Sequence, residues 1–326
     1  MGYALRRLGF YLLAAFASIT LNFLVPRLMP GDPASAMFAR FQGQMQPEAM
    51  TALRASFGLD AGSTFQQYLA YLKHVFTGDL GRSIAYYPTP VTDVIGTGLA
   101  WTLVLTGVAV ILSFALGTFL GTLAAWRRGG LLDSMFPPVL AFIGAFPYFW
   151  LAMFALYLFG FVLGWFPLRH AYSYDMTPGP TFGFFLDAVH HAVLPAATIV
   201  VATVGGWMLG MRNNMIGILG SDYITMARAK GLSQKRVMWR YAARNALLPS
   251  ITSFGMALGF VLSGSLLSEI IFSYPGMGYL LVQAVRGQDY PLMQGLFLII
   301  TLSVLFANWL VDITIAWLDP RTRANE

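Results

Sequence analysis

The most restrictive feature of this sequence is a series of long apolar runs. They fall at about 8–28, 99–126, 134–163, 191–211, 250–273 and 291–318, and the third is interrupted at Pro147. A helix needs about 20 apolar residues to cross the hydrocarbon core of a bilayer. Charged residues are only 10% of the chain, whereas soluble proteins have about 25%. The sequence therefore predicts an all-α polytopic membrane protein with six transmembrane helices and excludes a soluble domain.

The distribution of charge predicts how these spans are oriented. Most of the 20 lysines and arginines fall in the termini, in the loop 127–133 and in segment 213–248. Short loops rich in Lys and Arg stay in the cytoplasm, so both termini are predicted to be cytoplasmic. The first run could instead be a signal peptide cleaved near Ala34-Ser35-Ala36, but its length and the five further runs favour a retained helix.

Residues 29–98 form a predicted extracytoplasmic insert between the first two spans. Gln46-Pro47-Glu48 is typical of a helix start and Gly58 of a helix end. A second helix is indicated by an apolar stripe at helical spacing, which consists of Phe65, Tyr68, Leu69, Leu72 and Phe76. We interpret both as small helices packed on the ends of the spans, because such a stripe is usually core. A docking or lid element is the alternative.

Segment 213–248 predicts a helix–glycine–helix hairpin on the cytoplasmic face. Ser221 or Asp222 can cap a helix that runs through Lys230, and Gly231 can end it in a left-handed conformation. Ser233 can cap a second helix that ends before Pro249. Small residues that would let another protein approach closely are Ala227, Ala229 and Gly231. A hairpin lying on anionic lipid would suit the Arg and Lys content equally well.

Three pieces of this segment resemble the cytoplasmic coupling loop of ABC importer permeases. They are Asp222-Tyr223-Ile224, Ala227-Arg228-Ala229-Lys230-Gly231-Leu232 and Arg244-Asn245-Ala246-Leu247-Leu248-Pro249. The sequence is most similar to the peptide/nickel-type branch, and to its first permease subunit. Matching pieces elsewhere are Gly31-Asp32-Pro33, Phe57-Gly58-Leu59-Asp60, Gly78-Asp79-Leu80-Gly81, His191-Ala192-Val193-Leu194-Pro195-Ala196, Tyr274-Pro275-Gly276-Met277-Gly278, Asp289-Tyr290-Pro291 and Leu318-Asp319-Pro320-Arg321. Their order and spacing carry the resemblance over nearly the whole chain.

The resemblance implies a type I ABC importer permease fold in a prokaryotic cell membrane, together with a set of partners. These partners are a second homologous permease, two cytoplasmic ABC ATPase subunits and an extracytoplasmic solute-binding protein. ATP and Mg would be used by the ATPases, and no cofactor would be bound by this chain. The implied ATPase contacts are Thr225, Ala227, Arg228, Ala229, Lys230, Gly231 and Leu232, with Asn245, Leu248 and Pro249 at the end of the loop. The general signature has Glu where this sequence has Thr225, so no carboxylate is expected there.

The sequence offers no enzymatic chemistry of its own. It lacks the Gly-x-x-x-x-Gly-Lys-Ser/Thr motif that cradles ATP phosphates. The four histidines lack metal-ligand spacing, and the absence of cysteine excludes thiolate chemistry and Cys-based metal sites. We therefore predict no catalytic residue, no metal site and no nucleic-acid partner.

Four residues within the predicted spans are candidates for a gate, the pathway or a structural contact. Glu269 is either an interfacial carboxylate hydrogen-bonded to Ser268, Ser273 or a neighbouring helix end, or an outer gate or substrate contact. Pro147 and Pro195 are expected to break helix hydrogen bonding, which is tolerated in a membrane only beside protein or a water-filled cavity. Asp312 is expected to pair with a nearby polar residue.

Glycine pairs four residues apart predict close helix packing within the membrane. They are Gly117/Gly121, Gly206/Gly210 and Gly255/Gly259. Each pair could pack within this chain or against a second permease.

We therefore expect a permease subunit of an ATP-driven importer that carries di- or oligopeptides. Oligosaccharides and nickel chelates are alternative cargoes within the same importer type. A stand-alone secondary transporter is a further alternative, but it usually shows internal repeats or several intramembrane charges, and neither is evident in this sequence.

Overall fold

The computed structural model describes residues 2–28, 63–261 and 265–318, and the regular elements of these residues are helices. In chain order they are α1 (Gly2–Leu28), α2 (Thr64–Thr77), α3 (Val91–Thr102), α4 (Val108–Trp126), α5 (Leu131–Gly144), α6 (Tyr148–Ala155), α7 (Phe182–Leu219), α8 (Asp222–Ala229), α9 (Gln234–Arg236), α10 (Arg244–Val261), α11 (Leu266–Ile271), α12 (Met277–Arg286) and α13 (Tyr290–Leu318). Short π-helical stretches cover Leu103–Gly107, Leu156–Val162 and Val237–Ala243. The predicted all-α class is confirmed for this part of the chain.

Within the described residues, four helical segments are long and apolar enough to cross a bilayer. They are Gly9–Leu28, Val91–Trp126, Phe182–Leu219 and Tyr290–Trp309. Leu131–Gly144 and Tyr148–Val162 pass the same test together, with a bend of 94° between them. The described chain thus has four candidate spans, or five if the bent pair is one span, and the predicted number of six is not confirmed.

Several helix limits differ from the apolar runs. The second helix begins at Val91 instead of 99 because Val91, Val94 and Ile95 form an apolar face that is buried despite the polar residues between them. The fourth extends to Phe182–Leu219, well beyond 191–211. The run 250–273 divides between α10 and α11, since hydropathy alone does not reveal a break inside an apolar run.

The chain forms two compact units, the first of which contains α1, α2, α3, α12 and α13. Its core cluster consists of Val91, Val94, Ile95, Met277, Leu280, Ala284, Tyr290, Leu292, Met293 and Leu296. Gly295 allows α13 to approach α3, because a methyl group there would lie 2.7 Å from Val91 Cγ1. Helix α1 packs along α13.

Asp289 fastens the loop before α3 to the start of α13. Its carboxylate is fully buried and accepts hydrogen bonds from the Ser83 hydroxyl and the Ala85 N–H. It also accepts one from the Leu292 N–H at 3.0 Å, in the first turn of α13. Burial raises the pKa of Asp289, and these hydrogen bonds oppose the rise. Asp289 is therefore a structural anchor.

The stripe predicted on α2 is divided between two environments. Tyr68 packs edge-on against Phe23 of α1 with ring centroids 5.1 Å apart. Phe65, Leu69 and Phe76 are instead exposed. The interpretation of the whole stripe as core is wrong for these three residues. The helix predicted from Gln46 to Gly58 and the sequence Ala34-Ser35-Ala36 lie outside the described residues.

The second unit contains α4 to α10 together with most of α11, and its centre is the contact between α4 and α7. A methyl group added at Gly117 would lie 2.4 Å from Trp207 Cβ, and one at Gly121 would lie 2.4 Å from the Met208 carbonyl oxygen. The two backbones are therefore in contact, as the glycine spacing predicts for packing within one chain.

Helix α7 also packs against α5, α6 and α10. Its Trp207 forms an aromatic cluster with Phe114 of α4 and Phe254 of α10, and the latter two rings stack with centroids 4.2 Å apart. Five residues further along α7, Arg212 donates to the nearly buried carboxylate of Asp133 in α5 at 2.5 Å. Aromatic packing and an ion pair thus hold the neighbours of α7 in place.

We expect Gly117→Ala and Gly121→Ala to destabilise the protein by about 1–3 kcal/mol each, because the added methyl groups overpack a backbone contact. The measurement is the thermal unfolding midpoint of the purified protein in detergent. Gly96→Ala is the matched control, since Gly96 lies in a candidate span with nothing within 4 Å of the added methyl group. An unfolding midpoint equal to that of the control would contradict the close contact.

Candidate functional site

Helix α8 ends in a Schellman motif centred on Gly231. The φ angle of Gly231 is +73°. The Leu232 N–H donates to the Ala227 carbonyl at 3.3 Å, and the Gly231 N–H donates to the Arg228 carbonyl at 2.9 Å. This pair of bonds closes a helix when the residue after it is left-handed, so the predicted role of Gly231 as a helix stop is confirmed. Ser221 occupies the N-cap position, but its side chain makes no capping hydrogen bond.

The two faces of α8 have different surroundings. Ile224 and Ala227 are buried in an apolar cluster with Met211 and Met215 of α7. Tyr223 and Met226, about 100° around the helix from this buried pair, are 42% and 59% exposed. Because residues three apart in a helix are neighbours, these two side chains form one apolar surface that the described residues leave uncovered.

The predicted contact residues divide in the same way. Thr225, Arg228, Ala229, Lys230 and Gly231 are exposed, Leu232 is half-buried and Ala227 is buried. Ala227 therefore packs α8 onto this chain, and the prediction that it touches a partner is not supported by its position. Gly231 has nothing within 4 Å of an added methyl group, which leaves room for an approaching surface.

Hydrogen bonds and a cation–π contact connect α8 to neighbouring helices. The Asn245 amide donates to the Tyr223 hydroxyl at 3.3 Å and to the Tyr241 carbonyl at 2.8 Å. The Arg228 guanidinium lies 5.6 Å from the centre of the Trp126 ring, within the range of a cation–π interaction. The helix is therefore fixed to the ends of α4 and α10 as well as to α7.

The second half of the predicted hairpin is not a separate helix ending before Pro249. Helix α9 continues through the π-helical stretch Val237–Ala243 into α10, which contains Pro249. Proline removes one backbone donor and usually bends a helix. The π-helical stretch just before α10 already has a wider turn than a regular α-helix. Leu248 and Pro249 are both exposed.

A groove of about 380 Å³ lies beside α8. Its lining residues are Asp222, Tyr223, Met226, Ala227, Lys230, Leu232 and Tyr241. The lining is mainly apolar, with one acid and one base at opposite ends of the helix. It suits a protein side chain better than a small charged ligand, because only a few polar groups face it. No group of three or more His, Asp or Glu residues in the described part of the chain is placed to hold a metal ion.

The structure places the candidate gate and pathway residues in three different settings. Glu269 is fully buried, and Ser268 Oγ, one of its suggested partners, makes no hydrogen bond. Pro147 is the N-cap of α6 at the bend after α5, as the predicted interruption requires. Pro195 lies inside the continuous helix α7, where it removes one backbone hydrogen-bond donor without ending the helix. The side chain of Asp312 lies outside the described residues.

Sequence reasoning missed the residues that give α8 its surface and its support. Tyr223 falls within one of the matching pieces, but neither it nor Met226 was singled out as a contact residue. Their spacing of three, one position before the buried residues 224 and 227, is an amphipathic signal that could have separated the two faces. The contact of Arg228 with Trp126 spans about a hundred residues of sequence, so no local pattern could reveal it.

These features define a multi-pass membrane protein with a short helix presented from the ends of its long helices. Residues 117–324 match the family described as the binding-protein-dependent transport system inner membrane component. The chain belongs to this family, and it is a multi-pass inner-membrane component of a transport system.

Three relatives illustrate the similarity. A di/tripeptide transport system permease protein of Pseudomonas aeruginosa is 36% identical, over 99% of each chain. The oligopeptide transport system permease protein AppB of Bacillus subtilis is 35% identical over 92% of each chain. The dipeptide transport system permease protein DppB of Escherichia coli is 36% identical over 98% of each chain. All three are transport permeases, in agreement with the predicted class.

We expect Gly231→Val to open the end of α8, because a left-handed conformation costs a side-chain-bearing residue about 1–2 kcal/mol and suits a β-branched one least. The measurement is limited trypsin digestion of the membrane-inserted protein, in which cleavage after Arg228 and Lys230 should become faster. Gly231→Asn is the control, since Asn tolerates this conformation. Equal cleavage rates for the Val variant and the wild type would contradict the Schellman geometry.

Proposed function

We propose that this chain is a permease subunit of an ATP-driven importer for di- and oligopeptides. In this proposal it has six spans with both termini in the cytoplasm, and an extracytoplasmic solute-binding protein delivers the peptide. Together with a second, homologous permease it forms the pathway. The observation that carries the proposal is the full-length similarity to permeases named for di/tripeptides, dipeptides and oligopeptides.

The energy source in this proposal is a pair of cytoplasmic ATPase subunits, one of which binds α8. ATP and Mg would be bound by those subunits. The exposed pair Tyr223 and Met226, the open space around Gly231 and the apolar groove support this contact. When ATP closes the ATPase dimer, the displacement of α8 would move the long helices as a rigid body.

The second permease is supported by a face of α7 that carries small residues. A methyl group added at Gly206, Gly210 or Gly217 would meet nothing within 4 Å. In lipid, small residues allow another helix to approach closely. Gly206 and Gly210 thus have open space beside them, whereas Gly117 and Gly121 already pack against other residues of this chain.

The peptide cargo is tested by deleting this gene in its host and measuring uptake of a labelled dipeptide, a labelled oligopeptide, a labelled oligosaccharide and a nickel chelate. We expect peptide uptake to be lost and then restored by the wild-type gene, while sugar and nickel uptake stay unchanged. Loss of sugar or nickel uptake with peptide uptake intact would replace the proposed cargo. Peptide uptake that persists after depletion of ATP would contradict the ATP-driven mechanism.

The role of α8 is tested by Met226→Glu, which places a charge in the proposed apolar contact. We expect the variant chain to insert normally but to retain much less ATPase subunit on co-purification, with peptide uptake lost. Met226→Leu, which keeps an apolar side chain of similar size, should retain both. If Met226→Glu co-purifies with the ATPase as the wild type does and supports uptake, α8 is not the docking surface.

A further inference from the structure

One turn of α2, Gln67–Tyr71, contacts the last part of α1. The hydroxyl groups of Thr20 and Tyr68 lie 2.7 Å apart. The Phe23 ring contacts both Tyr68 and Tyr71, with centroid distances of 5.1 and 5.5 Å. Three residues of α2 on one face thus hold it, since Gln67 also accepts weak hydrogen bonds from the Arg27 guanidinium at 3.4 Å.

These contacts locate α2 relative to the candidate span Gly9–Leu28. Thr20 precedes Leu28 by eight residues, which corresponds to about 12 Å along a helix at about 1.5 Å per residue. The hydrocarbon core is about 30 Å thick. A helix whose tyrosine reaches Thr20 therefore lies beside the leaflet in which α1 ends, and not in the water above it.

The face of α2 next to the α1 contact is apolar and exposed. Phe65 is 66% exposed, Leu69 is 49% exposed and Phe76 is 80% exposed. At about 100° per residue these three and the half-buried Leu72 occupy a stripe about 60° wide. Gln66, Lys73 and Thr77 lie about 90° around the helix from this stripe, and α2 contains no acidic residue. An apolar stripe beside a polar side with a lysine is the pattern of a helix that lies in a membrane interface.

We infer that α2 is an interfacial helix whose Phe65, Leu69 and Phe76 side chains insert into the acyl chains of the leaflet in which α1 ends. The occupant of the stripe is lipid because α1, to which α2 is fixed, itself exposes Leu21, Leu24 and Leu28 over the same turns. Lipid that covers these leucines is continuous with the layer beside α2. The alternative of a lid is disfavoured because the contacts of Gln67, Tyr68 and Tyr71 fix one turn of α2 to α1.

This inference concerns the membrane anchoring of the chain and does not depend on the cargo. It gives the helix between the first two candidate spans a defined depth. Ser63 starts the helix with a capping box, and Gly78 ends it in a left-handed conformation. Both devices end the helix without neighbouring protein, as a helix bordered by lipid and water requires.

The test uses the fact that the chain contains no cysteine. Single cysteines replace Phe65, Leu69 and Phe76 in turn, and Gln66 and Thr77 serve as matched controls on the polar side. An environment-sensitive fluorophore is attached to each variant of the whole transporter in lipid nanodiscs. Quenching is measured with lipids that carry a nitroxide near the headgroup end of the acyl chain, and with aqueous iodide.

We expect labels at the three stripe positions to be quenched several-fold more by the nitroxide lipid than the controls, and several-fold less by iodide. Iodide quenching equal to that of the controls would place the stripe in water and overturn the inference. Protection from both quenchers would show that another protein surface covers it, which also overturns the inference.

A second measurement needs no substitution, so it remains informative if a labelled variant folds poorly. A phospholipid with a photoreactive group in its acyl chain is incorporated into nanodiscs with the wild-type transporter. After illumination, we expect lipid adducts on the peptide 64–77 at Phe65, Leu69 or Phe76. Adducts on α1 and α13 peptides without any on 64–77 would contradict the inference.

Discussion

The contact between the backbones of α4 and α7 is the constraint on which the second unit depends. Lipid tails are as apolar as leucine, so helices in a bilayer gain little from simple burial and depend on close packing. Gly117 and Gly121 remove the side chains that would separate the helices, and Trp207 and Met208 occupy the space. Since α7 also packs against α5, α6 and α10, this one contact sets the position of the helix that organises the others.

Buried acids provide a second kind of constraint, in each unit separately. Asp289 is surrounded by hydroxyl and backbone N–H donors, and Asp133 accepts from Arg212 and from the Gly129 N–H. A buried carboxylate is tolerated only when its oxygens are satisfied. The sequence could predict the side of the membrane on which such acids lie, but counting charges cannot separate a solvated acid from one that joins two distant segments. Asp289 and Ser83 are about two hundred residues apart, and no periodic pattern connects them.

Features encoded by neighbouring residues were predictable, and features that depend on packing were not. Gly231 was identified correctly because the left-handed helix end depends on a few consecutive residues. The interruption before Pro147 was found for the same reason. The helix limits at Val91 and Phe182 were missed because partly polar segments are stabilised by tertiary contacts, which hydropathy does not measure. Pro249 was expected to end a helix, yet it lies within α10, as Pro195 lies within α7, so neighbouring packing outweighs the loss of one hydrogen bond.

The way α8 is mounted determines what it could transmit. Its buried face, Ile224 and Ala227, shares one apolar cluster with Met211 and Met215 of α7 and with Ala246 of α10. Its end is closed by the bonds around Gly231, and Asn245 holds Tyr223 from behind. A force applied to Tyr223 and Met226 would therefore pass directly into the packed ends of α7 and α10, because few bonds within α8 are free to rotate in response. An equally apolar hairpin lying loosely on lipid would bend under the same force. The rigid mounting, more than the exposed apolar surface, is what favours a mechanical role for this helix over a simple membrane contact.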